Sequence, residues 1–413
     1  MEEEIKLFKD SPGDMISITS YLYHDTLKDI IRRWMYGQVW PSDAAAIGRI
    51  INYNTVFLAR CLPDFCSRLF ALLHETPVYA RPSRRKADLK DVLVSHCPYW
   101  NQRLEQMISQ YRYEPGRFYR ETPFNGTLYL LGAADDAMVV GSSRIKRVRR
   151  LAEKTARRII DAVFASIKSR ADLLAQDRAD RIGVPRGALI TPQDQMVAEF
   201  QKAESRLLDD LKMGRPILTN EKLVIQDVAG AKVIVPDEQR AALLAKIEHM
   251  EHCELVEVEE HRGNYNAVNL IVRYRPDREA LVAKPPGARL FHVMQARGLR
   301  PEEIHADFQR FVLEAEAAVH IEVIVCNYQE MMESEIGRCM HEDRIQQQRT
   351  NQQYTGQLAR NIEFLIAYLF AFASSSHTEL NELPMRLWDR YLPDYFDEVF
   401  MGLYDVHRMG PLE

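Results

Sequence analysis

Two acids and a run of cations are the groups in this sequence that could do chemistry together. Asp227 sits in QDVAGAKVIV, just before a β-branched run, and Glu322 lies in the alternating stretch HIEVIVCN. In an extended strand Glu322 shares a face with His320, Ile324 and Cys326, while Ile321, Val323 and Val325 point the other way. An ionised carboxylate among such apolar neighbours is costly unless a metal ion or a cation pairs with it. Residues 144–158 carry eight basic side chains: Arg144, Lys146, Arg147, Arg149, Arg150, Lys154, Arg157 and Arg158. That density near the start of a helix suits a polyphosphate. Acids that hold Mg2+, cations that neutralise phosphates and an oriented hydroxyl are what phosphoryl or pyrophosphoryl transfer requires. The plainer reading of 144–158 is the solvated face of an amphipathic helix.

The elements that must position these groups can be read from the pattern. TLYLLGAADDAMVVGSS offers two short strands, and a long amphipathic helix follows with Val148, Leu151, Ala152, Thr155, Ile159 and Val163 on one face. Residues 165–215 read as helix, a break at GVPRG and ITPQD, then helix again. AKVIVP is a strand, PDEQRAALLAKIEHM a helix, and CELVEVEE and AVNLIVRY a strand pair joined through RGN. Residues 301–317 form another helix, and AVHIEVIVCN is a final strand. Upstream, helices are expected over AAAIGRIINYNTVFLARCL, ending at Pro63, and over FCSRLFALLHE, ending at Pro77. The basic stretch RPSRRKADLK (81–90) is expected to be a solvated loop. His249, His252 and Cys253 have the spacing of a helix end but lack a second ligand pair for zinc.

Composition narrows the class. The chain has 413 residues, 46% hydrophobic and 27% charged, which is ordinary for a globular protein of two or three domains. A formal net charge of −5 argues against nucleic-acid binding through overall charge. Six cysteines without a CxxC pair read as reduced thiols and predict a cytoplasmic protein. The opening MEEEIKLFKDSPGD has no apolar h-region, so no secretory signal is expected. The longest apolar run, IEFLIAYLFAFA, is too short to span a bilayer and predicts a buried helix.

Four segments then occur in a recognisable order: GSSRIKRVRRLAEK (141–154), QDVAGAKVIV (226–235), GNYNAVNLIV (263–272), and HIEVIVCN followed by EIGRCMH (320–341). This ordered set resembles the synthetase domain of the RelA/SpoT family, which makes guanosine alarmones. The resemblance covers roughly residues 128–345. It places Arg144, Lys146 and Lys154 on the basic positions of the family's ATP-gripping pattern, with Ser143 and Arg150 departing from it. Asp227, Gly230 and Lys232 fall on the family's D-x-x-G-x-R, with Lys in place of Arg, and the resemblance implies that Asp227 would be a Mg2+ ligand. G-N-Y-x-x-x-N matches a family motif in which the aromatic, here Tyr265, stacks on the acceptor guanine, and Asn269 replaces a histidine. Glu322 keeps the acid of the family's E-x-Q-x-R-T strand, which binds metal and helps deprotonate the acceptor 3′-hydroxyl. Ile324 and Cys326 replace its Gln and Arg. Glu335 and His341 match a family helix that carries a Glu and a His.

The resemblance implies an α+β fold: a nucleotidyltransferase-like mixed sheet flanked by helices, with helical extensions at both ends. The expected domains are a helical N-terminal domain (1–125), the RelA/SpoT-like domain (126–345) with a helical insertion near 160–215, and a C-terminal helical extension (346–413). The implied activity is transfer of diphosphate from ATP to the 3′-hydroxyl of a purine nucleotide such as GDP or GTP. Asp227 and Glu322 would be the catalytic and Mg2+-binding pair. Arg144, Lys146, Lys154, Lys232, Tyr265, Asn269, Glu335 and His341 would bind nucleotide. The alternatives are a nucleotide-sensing module of the same fold without turnover, and transfer to an RNA acceptor. No membrane partner is expected, and a homo-oligomer is left open.

Overall fold

Alternating and β-branched runs pair into one seven-stranded mixed sheet in this computed structural model, which describes residues 16–99, 101–132, 137–217, 223–263, 266–337, 339–350 and 354–390. In chain order, α1 (His24–Met35) and α2 (Asp43–Ala71) precede β1 (Val78–Arg85), α3 (Lys86–Ser95) and α4 (Gln102–Tyr113). The hairpin β2 (Pro123–Leu131) and β3 (Met138–Ile145) leads into α5 (Val148–Ile182) and α6 (Gln193–Lys212). Then come β4 (Ala229–Ile234), α7 (Asp237–Glu248), β5 (Cys253–His261) and β6 (Ala267–Tyr274). Three helices follow, α8 (Arg278–Val282), α9 (Ala288–Ala296) and α10 (Pro301–Glu314), before β7 (Val319–Cys326). The chain continues through α11 (Tyr328–Met332), a π-helical turn (Glu333–Gly337), α12 (Met340–Thr350) and α13 (Gln357–Ala371).

The strand order is β1-β2-β3-β4-β7-β6-β5, antiparallel throughout except for the parallel pair β4–β7. Parallel neighbours need a long crossover, and here the crossover carries the β5–β6 hairpin and four helices. Period-2 alternation then divides the sheet. Val319, Ile321, Val323 and Val325 are fully buried in the main core, with Ala231, Val233, Leu270 and Val272 beside them. On the opposite face, Leu128, Val139, Ile234 and Cys326 join residues of α3, α4 and α11 in a second core. The rest of that face carries Arg144, Lys232 and Glu322.

Two sequence expectations are corrected here. The first concerns Pro63, which does not end a helix: α2 runs through it for 29 residues. A proline in a helix interior costs about 3 kcal/mol, yet Phe57, Leu58, Cys61, Leu62, Phe65, Cys66, Leu69 and Phe70 are all buried around it. Full burial of each large apolar side chain contributes roughly 1.5–3 kcal/mol, so tertiary packing outweighs the local penalty. The second concerns RPSRRKADLK, which is not a solvated loop. It forms the end of β1 and the start of α3, and Lys86 and Lys90 are buried. Residues 78–85 therefore give the expected helical N-terminal region a strand that pairs with β2.

Most other expected elements form within a few residues of their predicted limits, and α13 is buried as the apolar run IEFLIAYLFAFA requires. The expected C-terminal helical extension (346–413) is corrected too: beyond α13, residues 372–390 are turns and irregular chain, where Ser374, Ser375, Ser376 and Pro384 favour turns over helix, and 391–413 lie outside the described residues. The helices α5 and α6 fill the insertion near 160–215 as an antiparallel pair joined by Arg178–Glu199 and Arg170–Asp210 ion pairs. No helix among the described residues is long and apolar enough to cross a membrane. None of the six cysteines is in a disulfide.

Candidate functional site

Arg144, Gly230 and Glu322 stand in one cross-strand row, because Arg144 pairs with Gly230 on β4 and Gly230 with Glu322 on β7. Gly230 leaves a notch between the two charged side chains. A Cβ built there would lie 3.4 Å from Glu322 Oε2, so the carboxylate leans over Gly230. The next row holds Ser142, Lys232, Ile324 and Asn269. Lys232 thus projects on the same face as Arg144 and Glu322, one pleat along.

Asp227 lies two residues before β4. Its approach is fixed by an N-terminal segment that the sequence pattern did not connect with the site. Ser17 bridges to Val224, Thr19 N–H donates to the Ile225 carbonyl, and Val228 N–H donates to Ser20 Oγ. Thr19 in turn accepts from His320 N–H at the start of β7, so one segment ties together the approaches to both acid-bearing strands.

Lys146 Nζ meets Asp227 Oδ2 at 2.9 Å and also donates to the Asp227 carbonyl, while Lys154 donates to the same Oδ2. Burial alone would raise the Asp227 pKa, but the two ammonium groups outweigh it and hold the carboxyl well below the usual range. Asp227 Oδ1 is buried and has no hydrogen-bond partner among the described residues. Burial also lowers the Lys146 pKa, opposed by the charges of both Asp227 and Glu322. Lys146 therefore lies within electrostatic reach of both acids.

The basic run divides as helical geometry requires. Lys146 and Lys154 turn to Asp227, whereas Arg149 and Arg150 pair with Glu153, and Arg157 with Asp161, along the outside of α5. The solvated-face reading describes Arg149, Arg150 and Arg157, while Lys146 and Lys154 leave that face to pair with Asp227.

A second group of charges lies beside Lys232. Glu335, in the π-helical turn, accepts from Lys232 Nζ at 3.1 Å through Oε1 and from Lys86 through Oε2. It is 1% exposed, so it is walled in by lysines and does not open onto the sheet face. Burial would raise its pKa, but Lys86, Lys232 and Lys90 outweigh this and hold it well below the usual range. Sequence reasoning missed Lys86 and Lys90. The signal was present in K-A-D-L-K-D-V-L, where both lysines fall in phase with Leu89 and Leu93 on one helical face.

Asn269 lies on β6 with Nδ2 3.1 Å from His261 Nε2, and its Oδ1 is buried without a partner among the described residues. Tyr265 lies outside the described residues, as does the side chain of His341 at the start of α12. Ile324 and Cys326 pack on or within the second core. Burial pushes the Cys326 thiol up to about 12, so it is an uncharged packing group.

His249 turns back on its own helix, its Nδ1 2.8 Å from the Ala245 carbonyl, and forms no metal-ligand group with His252 and Cys253 among the described residues. The residues that do approach such a group are His24, Asp25 and Glu316. There the His24 ring lies between the two carboxylates, at 3.4 and 3.8 Å, and Glu316 accepts Tyr23 N–H, so the trio is engaged in contacts of its own at the start of α1.

What the main arrangement can do chemically is bind an anion against four cations while two acids stand close by. The unpartnered Asp227 Oδ1 is the kind of hard oxygen a magnesium ion takes. No protein-family model matches the chain, and no curated protein matches its sequence.

Proposed function

We propose that this chain transfers the β,γ-diphosphate of ATP to the ribose 3′-hydroxyl of a purine nucleotide. The observation that carries the reading is the charge arrangement at the start of β4. Asp227 is gripped by Lys146 and Lys154, and Glu322 leans over Gly230 into the same electrostatic neighbourhood. Arg144, Lys146, Lys154 and Lys232 neutralise the phosphates. Glu322 accepts the proton of the 3′-hydroxyl as its oxygen bonds to the β-phosphorus, the bond from that phosphorus to the α-bridging oxygen breaks, and AMP leaves. Asp227 and Glu322 would hold Mg2+, and the free Asp227 oxygen fits that role; the ion supplies charge neutralisation at the phosphates when bound. Tyr265, Asn269 and His341 would seat the acceptor.

A nucleotide-sensing module without turnover is the second reading. What favours it is that Ile324 and Cys326 are committed to packing and cannot supply a bidentate grip on phosphate.

Incubation with ATP, Mg2+ and a panel of purine nucleotides, read by chromatography, tests the proposal. AMP and a diphosphorylated acceptor are expected, and Glu322→Gln should cut the rate by ~10²–10⁴-fold, the usual contribution of a general base. Nucleotide binding with no transfer above the Glu322→Gln background would establish the sensor instead. A steeply salt-dependent affinity for tRNA would point to an RNA acceptor.

A further inference from the structure

We propose that Lys86, which lies outside the resembling segments, is a positioning residue that acts through Glu335 on Lys232 and so sets the strength of the phosphate site. The inference rests on the reading of Lys232 as a phosphate-facing cation.

Glu335 bridges two ammonium groups from distant parts of the chain, Lys232 on β4 and Lys86 at the start of α3. A carboxylate buried this deeply stays ionised only because those cations are present. Lys86 is 3% exposed and also lies 3.5 Å from Glu342, whose two carboxylate oxygens are buried with no hydrogen-bond partner among the described residues. One helical turn on, Lys90 is fully buried, donates to the Phe118 carbonyl at 2.7 Å and also acts on Glu335.

Three lysines therefore face two glutamates, leaving one net positive charge beside the sheet; without Lys86 none remains. Arg144 also lies within electrostatic reach of Lys86, which connects this group to the row that holds Glu322.

The backbone around Lys86 is held firmly. Asp88 accepts from Arg84 N–H, Arg85 N–H and Ser83 Oγ, and Lys86 N–H donates to the Thr122 carbonyl at 2.9 Å. On the other side, the π-helical turn carries an extra residue per turn, which re-aims its side chains, and such turns recur at functional sites. Glu335 thus lies between two firmly held elements, and its hydrogen bond to Lys232 Nζ helps place that ammonium. A purely stabilising role would not need charge, because a buried ion pair is often replaced by apolar groups without loss.

The test is a double-mutant cycle on the full chain, with inorganic pyrophosphate as the probe in calorimetry and folding checked by near-UV circular dichroism. Lys86→Met should weaken pyrophosphate binding about tenfold, on the order of one charge acting over ~10 Å at an effective dielectric of about 20. Glu335→Gln should strengthen binding, and Lys86→Met with Glu335→Gln should return to within about threefold of wild type, because the removed charges cancel. The double variant removes one charge of each sign and leaves the net charge of the group unchanged, so it keeps the test valid if Lys86→Met alone does not fold.

A folded Lys86→Met that binds like wild type would overturn the proposal, as would a double variant that binds more than tenfold worse than wild type. Wild type that shows this cycle yet transfers diphosphate to no acceptor removes the transferase reading and leaves this inference standing. Wild type that transfers diphosphate while the cycle is flat does the reverse.

Discussion

Asp227 is the residue on which most of the local energetics converge. Its carboxylate is largely buried and faces Lys146 and Lys154, so replacing it leaves two ammonium groups without their counter-charge. Asp227→Asn should destabilise the fold by about 2–3 kcal/mol in urea unfolding, somewhat less than a fully buried pair because the three side chains keep some water contact. Arg157→Ala serves as the contrast. Its pair with Asp161 is a long 3.8 Å contact on the outside of α5, and its loss should change stability by less than about 0.5 kcal/mol. Equal effects of the two substitutions would mean that the Asp227 pairs are no stronger than a surface contact.

At the scale of elements, the close approach of α2 to the sheet depends on a missing side chain. Gly141 on β3 faces the Phe70 ring, and a Cβ there would lie 2.4 Å from that ring and 2.5 Å from the Lys232 carbonyl on β4. Neither neighbour can give way cheaply, since one is a buried aromatic and the other is backbone. Gly141→Ala should therefore cost about 2–3 kcal/mol through overpacking, and because it pushes on β4 beside Lys232 it should also weaken pyrophosphate binding. A variant as stable as wild type would show that α2 can slide on the sheet. The same helix shows why Pro63 misleads as a boundary. Proline's penalty is local and fixed, whereas the apolar surface it must break is spread over two turns on either side.

For the whole molecule, the described residues before 126 are built into the sheet and the candidate site rather than appended to them. They supply β1, the segment that holds the approach to Asp227, and Lys86. A fragment spanning 126–345 would lose Leu89, Leu93, Leu104 and Met107 from the second core and leave Glu335 with less counter-charge. It should show no cooperative unfolding transition, and a sharp two-state melt would show that the segment folds alone.

Acid titration reports on the same network. Asp227 and Glu335 have folded pKa values below their ordinary ones, so the native state holds their protons less tightly than the unfolded chain does. Their contribution is fully present above the ordinary carboxylate range of about 4–4.5 and is lost as pH falls below it through the folded values. Melting temperature should drop steeply with acid below about pH 4, and less steeply in Lys86→Met with Glu335→Gln.

Strands β2 to β7 and most of the flanking helices were legible in the sequence because their signal is local: periods of 2 and 3.6, bounded by Pro and Gly turns; β1, in a basic stretch without that alternation, was not. The candidate acids Asp227 and Glu322, and the cations Arg144, Lys146 and Lys154, were legible for the same reason, since each sits at a strand end or on a strand or helix phase visible in its own segment. Only the tertiary structure decided that Lys86 and Lys90 are buried partners of Glu335 and that residues 16–20 hold the approach to Asp227. It also decided which cations of 144–158 turn inward, that Pro63 lies inside a helix, and that Ile324 and Cys326 serve a second core. Each of these depends on contacts between residues dozens to hundreds of positions apart, where burial and charge pairing override the local preference of the segment.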